Sequence, residues 1–292
     1  LSDPKPWKVP ANFERLSREN FPFAEGDQPE VEWEALEREP FASVFGDIKR
    51  GISEGRIKKS VPVLTECGRV RTGRVVDLAS RIAGLSAPLM GYGYGDEDCG
   101  FMGATPERLF SLVADRLDTM ALAGTSPIEG RGNFVNDAKE IEEHELVAQY
   151  LIQHLADLGS VWREERECME LGPIVHFLTR IGVDLERPRT VDGLIGRMHP
   201  TPALGSFPRT MESLQKLHEY RAQLRAPKMF GAPFGSFFEG EFHSVVAIRN
   251  LSWDGDRVFL PSGCGVIEES TLENEWRELE LKRRSVKEVF EL

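Results

Sequence analysis

The chain has 292 residues, of which 40% are hydrophobic and 29% charged. This length and composition predict a globular protein with a large buried core, in one large domain or two small ones. The formal net charge of -12 argues against a nucleic-acid partner and against binding to anionic membranes.

Targeting and membrane signals are missing from the sequence. No uncharged apolar run is long enough to cross a bilayer, and the first residues lack a basic region followed by an apolar one. The cysteines show no CxxC spacing, which argues against a zinc site or a disulfide framework; they are Cys67, Cys99, Cys168 and Cys264. We therefore expect a cytoplasmic protein with reduced thiols. No feature addresses oligomeric state, for which we assume a monomer or a weak dimer.

Residues 1–40 are rich in proline and acidic residues, which predicts a loosely structured N-terminal arm with one short helix at most. Helical apolar spacing follows over 41–54. Lys59 then opens an apolar stretch, 60–64, that predicts a strand. Pro62 would place that strand at a sheet edge or at a bulge.

The rest of the chain predicts strand-rich blocks interrupted by three long helices. Ser270 and Glu273 form a capping-box pattern at the start of the last helix. This mixture favours a single α+β domain over a regular strand–helix alternation. The predicted elements are antiparallel strands within 89–125, a helix over 138–158, strands around 175–185, a helix over 209–224, strands at 237–250 and 258–261, and a helix over 272–292.

Two of these helices carry acidic faces. Glu140 and Glu143 are three residues apart, and Glu275, Glu278 and Lys282 align on one face of the last helix. Carboxylate oxygens of this kind are ligands that Mg²⁺ prefers. The spacing by itself fits two ordinary solvated helix faces equally well.

Several segments, which each occur once and are spread over most of the chain, match one known family in the same order. They are GATPERL (103–109), ALAGT (121–125), DAKEIEEH (137–144), HPTPAL (199–204), AIR (247–249), GCGVI (263–267), EWRE (275–278) and Lys282. Together they resemble the chorismate-utilising enzymes, which include isochorismate, salicylate, anthranilate and aminodeoxychorismate synthases. The resemblance implies an α+β fold of antiparallel sheets flanked by helices, with the active site in a deep cleft. It makes 41–292 a chorismate-binding catalytic domain that needs no organic cofactor.

The resemblance also assigns the binding residues. Glu143 and Glu278 look like the ligands of Mg²⁺, with Glu140 and Glu275 as neighbours that orient them or hold metal-bound water. The carboxylates of chorismate would be received by cations and by backbone amides. The remaining residues that resemble substrate contacts are Ala123, Gly124, Thr125, Thr201, Ala203, Arg249, Gly263, Gly265 and Lys282.

Three residues match the family's catalytic groups. Glu107 resembles the general acid that protonates the hydroxyl leaving ring carbon 4, so we expect burial to raise its pKa. Lys59 resembles the base that activates water, although its neighbour Lys58 is an alternative because adjacent strand residues face opposite sides. His176 resembles a histidine near the same hydroxyl, and a core histidine is the alternative.

Two features favour attack at ring carbon 2 by water over attack by ammonia. The 199–203 segment resembles the isochorismate and salicylate branch, and Ala123 stands where aminodeoxychorismate synthases carry a lysine. We therefore expect an isochorismate synthase that supplies menaquinone or siderophore synthesis. The alternatives are a salicylate synthase, which goes on to eliminate pyruvate, an anthranilate synthase component I, and a non-catalytic homologue that binds chorismate-like anions or a protein partner.

The sequence also departs from the family pattern. Leu64 and Thr65 stand where the basic strand usually ends in arginine, and 226–227 reads Ala-Pro where an Asp-Arg pair is expected. Only 58 residues precede Lys59. We therefore expect an N-terminally shortened catalytic domain, with altered substrate handling near these positions.

Overall fold

The structure of the protein, a computed structural model, describes residues 28–83 and 85–292. Its strands are β1 (Glu30–Trp33), β2 (Val63–Thr72), β3 (Met90–Gly95), β4 (Cys99–Thr105), β5 (Arg108–Val113), β6 (Arg116–Pro127), β7 (Gly159–Arg163), β8 (Glu167–Leu171), β9 (Ile174–Leu185), β10 (Pro233–Phe238), β11 (Glu241–Val246), β12 (Asn250–Asp254) and β13 (Arg257–Gly263). Its α-helices are α1 (Glu39–Ser53), α2 (Ala79–Ile82), α3 (Arg131–Phe134), α4 (Ala138–Leu155), α5 (Val191–Met198), α6 (Met211–Gln223) and α7 (Leu272–Phe290).

The strands form two antiparallel sheets. The first has the order β1-β2-β13-β12-β4-β3, and the second has the order β10-β11-β5-β6-β9-β7, with β8 also paired to β9. Strand β9 is long enough to pair with β8 along its first half and with β7 along its second half. The expected α+β architecture of antiparallel sheets flanked by helices is thus confirmed.

The chain passes from one sheet to the other at two neighbouring places. It leaves the first sheet after β4 and enters the second at β5, and it returns between β11 and β12. The two crossings are hydrogen-bonded to each other, from Val246 N to Glu107 O at 3.0 Å and from Ala104 N to Arg249 O at 3.1 Å. Glu107 and Arg249 therefore lie together at the seam between the sheets.

Helix α4 packs on the second sheet through an apolar stripe. Val147, Leu151 and Leu155 recur at helical spacing and are buried against strand residues that include Ile181 and Val183. Each such side chain stabilises the fold by about 1.5–3 kcal/mol. The acidic first turns lie beyond this stripe, where Glu143 contacts Lys59 and Gly265.

Helix α7 is anchored in the same way, by Leu279 against one cluster and by Val286 and Phe290 against another beside the first sheet. Its first residue follows Thr271, whose hydroxyl accepts a hydrogen bond from Asn274 N at 3.3 Å. The predicted capping box is therefore wrong. Ser270 instead accepts from Ile267 N.

Other boundaries differ from the predictions. The strand predicted at 60–64 begins at Val63 and lies between β1 and β13, so Pro62 precedes an interior strand and lies neither on an edge nor in a bulge. Most of the predicted arm falls outside the described residues, but 30–33 form β1, which the sequence did not predict. In the described ranges, no helix combines the length and apolarity needed to cross a bilayer.

Candidate active site

The acidic faces of α4 and α7 converge. Glu140, Glu143, Glu275 and Glu278 are each at most 9% exposed, so the interpretation as solvated helix faces is wrong. Lys139 joins the two helices, because its Nζ lies 2.8 Å from Glu140 Oε1 and 3.2 Å from Glu275 Oε1.

Two further ammonium groups pair with this acidic cluster of four glutamates. Lys59 Nζ donates to Glu143 Oε1 at 2.8 Å, and Lys59 is fully buried whereas Lys58 is exposed. Lys282 Nζ donates to Glu278 Oε1 at 2.5 Å and to Gly263 O at 2.9 Å. Glu143 and Glu278, the two residues that resemble metal ligands, are therefore each paired with a different lysine.

Burial and mutual repulsion shape the protonation of the acidic cluster. Burial, reinforced by Glu143, raises the pKa of Glu140 to about 7, and burial together with Glu278 raises the pKa of Glu275 to about 7. Burial acts on Glu278 as well, but Lys282 and Lys139 outweigh it and lower the pKa of Glu278. Burial would lower the pKa of Lys139, yet the surrounding carboxylates raise it. At neutral pH Glu140 and Glu275 are therefore each partly protonated, whereas Glu278 is ionised.

The donor set fits a hard divalent cation. Four carboxylates from two helices would supply oxygen ligands of the kind that Mg²⁺ takes, and a divalent cation would favour the ionised form of Glu140 and Glu275. Glu143 packs directly on Gly265, where a Cβ would collide with its carboxylate. Among residues 28–83 and 85–292, however, no three acidic, histidine or cysteine side chains are grouped as ligands of one ion, since ammonium groups stand between the carboxylates.

A β-bulge shapes one wall of the site. The pairing of β6 with β9 shifts between Ala123 and Thr125, and Gly124 adopts a left-handed φ of 76°. Through this bulge, Thr125 N donates to Glu140 Oε2 at 2.7 Å, and the Gly124 carbonyl lies 2.9 Å from Nδ1 of His176. Bulges commonly redirect backbone groups beside active sites, and here one connects α4 to β9.

His176 faces the site as part of a polar contact with Arg249. Nη2 of Arg249 lies 2.8 Å from Nε2 of His176. Burial, aided by the positive charge of Arg249, holds the pKa of His176 well below its ordinary value, so the ring is neutral. Burial also lowers the pKa of Arg249 to about 10, which leaves it protonated at neutral pH. His176 is therefore neither a purely apolar core residue nor a cation.

Glu107 has the protonation expected of a general acid. It is 4% exposed at the seam between the sheets. Burial raises its pKa to about 7, against the opposing effect of the positive charges on Lys59, Lys282 and Arg249. With this pKa, a large fraction of the Glu107 carboxyls are protonated at neutral pH.

Several of these groups line one cavity between the sheets, but Lys59, which was expected to activate water, is fully buried behind the wall and does not line it. Thr201 was expected to contact substrate, but it is buried and does not line this cavity. Glu140, Glu278 and Lys139 line a second, adjacent cavity that shares Thr125 with the first. Those of the expected residues that line the first cavity are Glu107, Ala123, Gly124, Thr125, Glu143, His176, Ala203, Arg249, Gly263, Gly265 and Lys282.

Sequence reasoning missed two polar residues of the site. Lys139 lies four residues before Glu143 on α4, and Ser285 lies three residues after Lys282 on α7. Each stands on the same helix face as a residue already identified, and this spacing was a signal that could have found them.

At a departure from the family pattern, Leu64 is buried in an apolar cluster with Phe41, which leaves no place there for an arginine.

The chain is similar to known proteins in sequence and in fold. The chain is 28% identical over 271 residues to the salicylate biosynthesis isochorismate synthase of Pseudomonas aeruginosa, covering 88% of this chain and 56% of that protein. It is 26% identical over 281 residues to anthranilate synthase component 1 2 of Haloarcula marismortui, covering 90% and 50%. The structure of MenF, the menaquinone-specific isochorismate synthase from Escherichia coli, superposes with a TM-score of 0.72 at 20% identity, covering 92% and 64%.

The chain thus spans about half the length of the curated relatives it matches. The sequence model of the family described as "Chorismate binding enzyme" matches residues 14–291, which is nearly all of the chain. The chain therefore belongs to the family of chorismate binding enzymes.

Proposed function

We propose that this chain is a Mg²⁺-dependent isochorismate synthase that adds water at ring carbon 2 of chorismate and removes the hydroxyl from carbon 4. The observation that carries the proposal is that Glu107 lines the cavity while Lys59 lies directly behind Gly265 in the cavity wall. Glu107 has a pKa of about 7, and Lys59 is a fully buried lysine whose charge acts on it.

The two groups divide the chemistry between them. Glu107 donates its proton to the leaving hydroxyl, which departs as water, while Lys59 accepts a proton from the attacking water. Because an ammonium that donates to Glu143 has no free lone pair, Lys59 must release Glu143 and pass its own proton to solvent before it accepts that proton. In each turnover Lys59 gains one proton and Glu107 loses one, and transfer of a proton from Lys59 back to Glu107 through water restores the starting state. The reaction adds one water and expels one, so product and substrate are isomers.

The other polar groups hold the dianionic substrate. Arg249 and Lys282 receive its carboxylates, and the amides near Gly263 and Gly265 add neutral donors. Glu143 and Glu278, supported by Glu140 and Glu275, would hold Mg²⁺, which supplies positive charge to a substrate carboxylate. Binding in this way keeps the ring in register with both proton-transfer groups.

The cellular setting is part of the proposal. We place the enzyme in the cytoplasm, as a monomer or a weak dimer, with its product entering menaquinone or siderophore synthesis. The name of the similar menaquinone-specific isochorismate synthase supports the first of these fates.

The experiment is incubation of the purified chain with chorismate and Mg²⁺, followed by chromatography of the products. We expect isochorismate, and a loss of at least about 100-fold in rate for Lys59→Ala and for Glu107→Gln. Lys58→Ala, at the exposed neighbouring position, is the matched control and should keep the wild-type rate. Salicylate or anthranilate as the main product would reject the proposed reaction. Equal inertness of wild type and variants would indicate a non-catalytic chorismate-binding protein.

A further inference from the structure

Lys139 occupies the space between the two acidic helices. Its Nζ lies 2.8 Å from Glu140, 3.2 Å from Glu275 and 3.8 Å from Glu143. These glutamates are ones assigned to Mg²⁺ in the proposed function. An ammonium of the protein therefore stands among three of the four carboxylates of the acidic cluster.

Formal charge shows why this matters. Even with all four carboxylates of the acidic cluster ionised, the three lysines Lys59, Lys139 and Lys282 leave only one negative charge over. A divalent cation added to all three lysines would turn the total positive in a buried site, where uncompensated charge is costly. One ammonium must therefore withdraw when the cation binds.

Of the three, Lys139 is the one free to withdraw. Lys59 is fully buried, and Lys282 is also held by the Gly263 carbonyl. Lys139 and Lys282 have similar side-chain exposure, 17% and 16%, but Lys139 alone of these three lysines lines the second cavity. Rotation of its flexible stem would move the charge into that cavity without disturbing the fold.

We propose that Lys139 is a built-in counter-ion that holds the acidic cluster together until a divalent cation displaces it, and that it thereby weakens the affinity of the site for that cation. The inference rests on the metal site of the proposed function. It adds that metal affinity is set by competition with a lysine, and not by the four carboxylates alone.

The test is calorimetric titration of the purified full chain with MgCl₂, without chorismate. Lys139→Met keeps the length and apolar stem but removes the charge, so we expect a Kd for Mg²⁺ at least tenfold lower than that of wild type. Without metal this variant should have a lower Tm, and Mg²⁺ should raise its Tm by more than it raises that of wild type. Lys139→Arg keeps the charge, and its Kd should be no lower than that of wild type.

Lys58→Met is the matched control and should leave both Kd and Tm unchanged, because Lys58 is exposed. Magnesium binding by Lys139→Met that equals or falls below that of wild type would overturn the proposal, and so would binding by neither protein. If Lys139→Met does not fold, Lys139→Gln replaces it with the same expected Kd. Since chorismate is absent, the result is independent of which product, if any, the chain forms.

Discussion

The hydroxyl of Ser285 accepts a hydrogen bond of 2.6 Å from Nη1 of Arg249 and donates its own proton to the Lys282 carbonyl at 2.9 Å. The direction is fixed because a guanidinium only donates. Nη2 of Arg249 likewise donates to Nε2 of His176, so Nε2 acts as the acceptor. The ring proton of the neutral His176 is therefore on Nδ1, which faces the Gly124 carbonyl. A continuous chain of hydrogen bonds thus runs from α7 to the bulge in β6.

Ser285→Ala should loosen Arg249 and raise KM for chorismate about tenfold, with kcat changed less than about threefold. A hydrogen bond to a charged group contributes about 1.5–3 kcal/mol, which corresponds to a tenfold effect or more. Steady-state kinetics measures both constants. Ser285→Thr keeps the hydroxyl and should restore KM. A drop in kcat at constant KM, or no rescue by threonine, would contradict this role.

The pH profile should report Glu107. Since the acid must be protonated, kcat/KM should fall about tenfold per pH unit once the pH exceeds about 7. A profile that stays flat between about pH 6 and 8.5, measured by product formation under saturating Mg²⁺, would remove Glu107 from that role.

Stability should depend on pH through the same carboxyl. Its pKa is raised in the folded state, so between the ordinary value and about 7 the folded chain binds more protons than the unfolded chain. The stabilisation is complete below the ordinary pKa and is lost as the pH rises through about 7. Glu107→Gln should therefore gain stability relative to wild type over that range, by on the order of 3 kcal/mol, in urea titrations at each pH. A constant difference would show that Glu107 does not titrate there.

Gly265→Ala should damage the site directly. Its Cβ would collide with the Glu143 carboxylate and lie 2.8 Å from Cε of Lys59. We expect a loss of about 1–3 kcal/mol in the free energy of unfolding and a weakened response of Tm to Mg²⁺. Gly46→Ala is the control, because a Cβ there meets nothing within 4 Å and α1 should be slightly stabilised. An unchanged Mg²⁺ response in Gly265→Ala would indicate that Glu143 does not bind metal.

Glu66→Gln should destabilise the attachment of α7 to the first sheet. Glu66 lies 3.3 Å from the buried Arg283 and 2.7 Å from Lys287. Removing its charge leaves a buried guanidinium without its carboxylate, at a cost of about 3–5 kcal/mol in the free energy of unfolding. The exposed pair of Glu32 with Arg71 supplies the control, since Glu32→Gln should cost less than about 1 kcal/mol. Equal effects in urea unfolding would refute the difference.

Local sequence signals located the long helices well. Apolar spacing and caps act over a few residues, so α1, α4, α6 and α7 begin and end close to their predicted positions. The error in the N-cap of α7 concerned two adjacent residues. Ser270 and Thr271 are both competent N-cap residues, and tertiary contacts decided between them, because Ser270 is used by Ile267.

Pairing between distant strands was beyond local signals. Nothing in residues 60–64 indicates that β2 pairs with β13, almost two hundred residues later, so Pro62 was assigned to an edge. The candidate site was inferred from the family resemblance, which identified the four glutamates but not the ammonium of Lys139 among them. Its position depends on how α4 and α7 meet, and the sequence does not state that geometry.

The place of β13 within the first sheet has a consequence during synthesis on the ribosome. Until β13 emerges, β2 has β1 as its only partner within the described part of the first sheet, and its other edge stays open. Strand β12 and helix α7 follow β11 in the chain, so the first sheet and half of the acidic cluster form only after residues 250–290 have been translated. Ribosome-bound nascent chains that stop before residue 257 should accordingly recruit chaperones that recognise open strand edges.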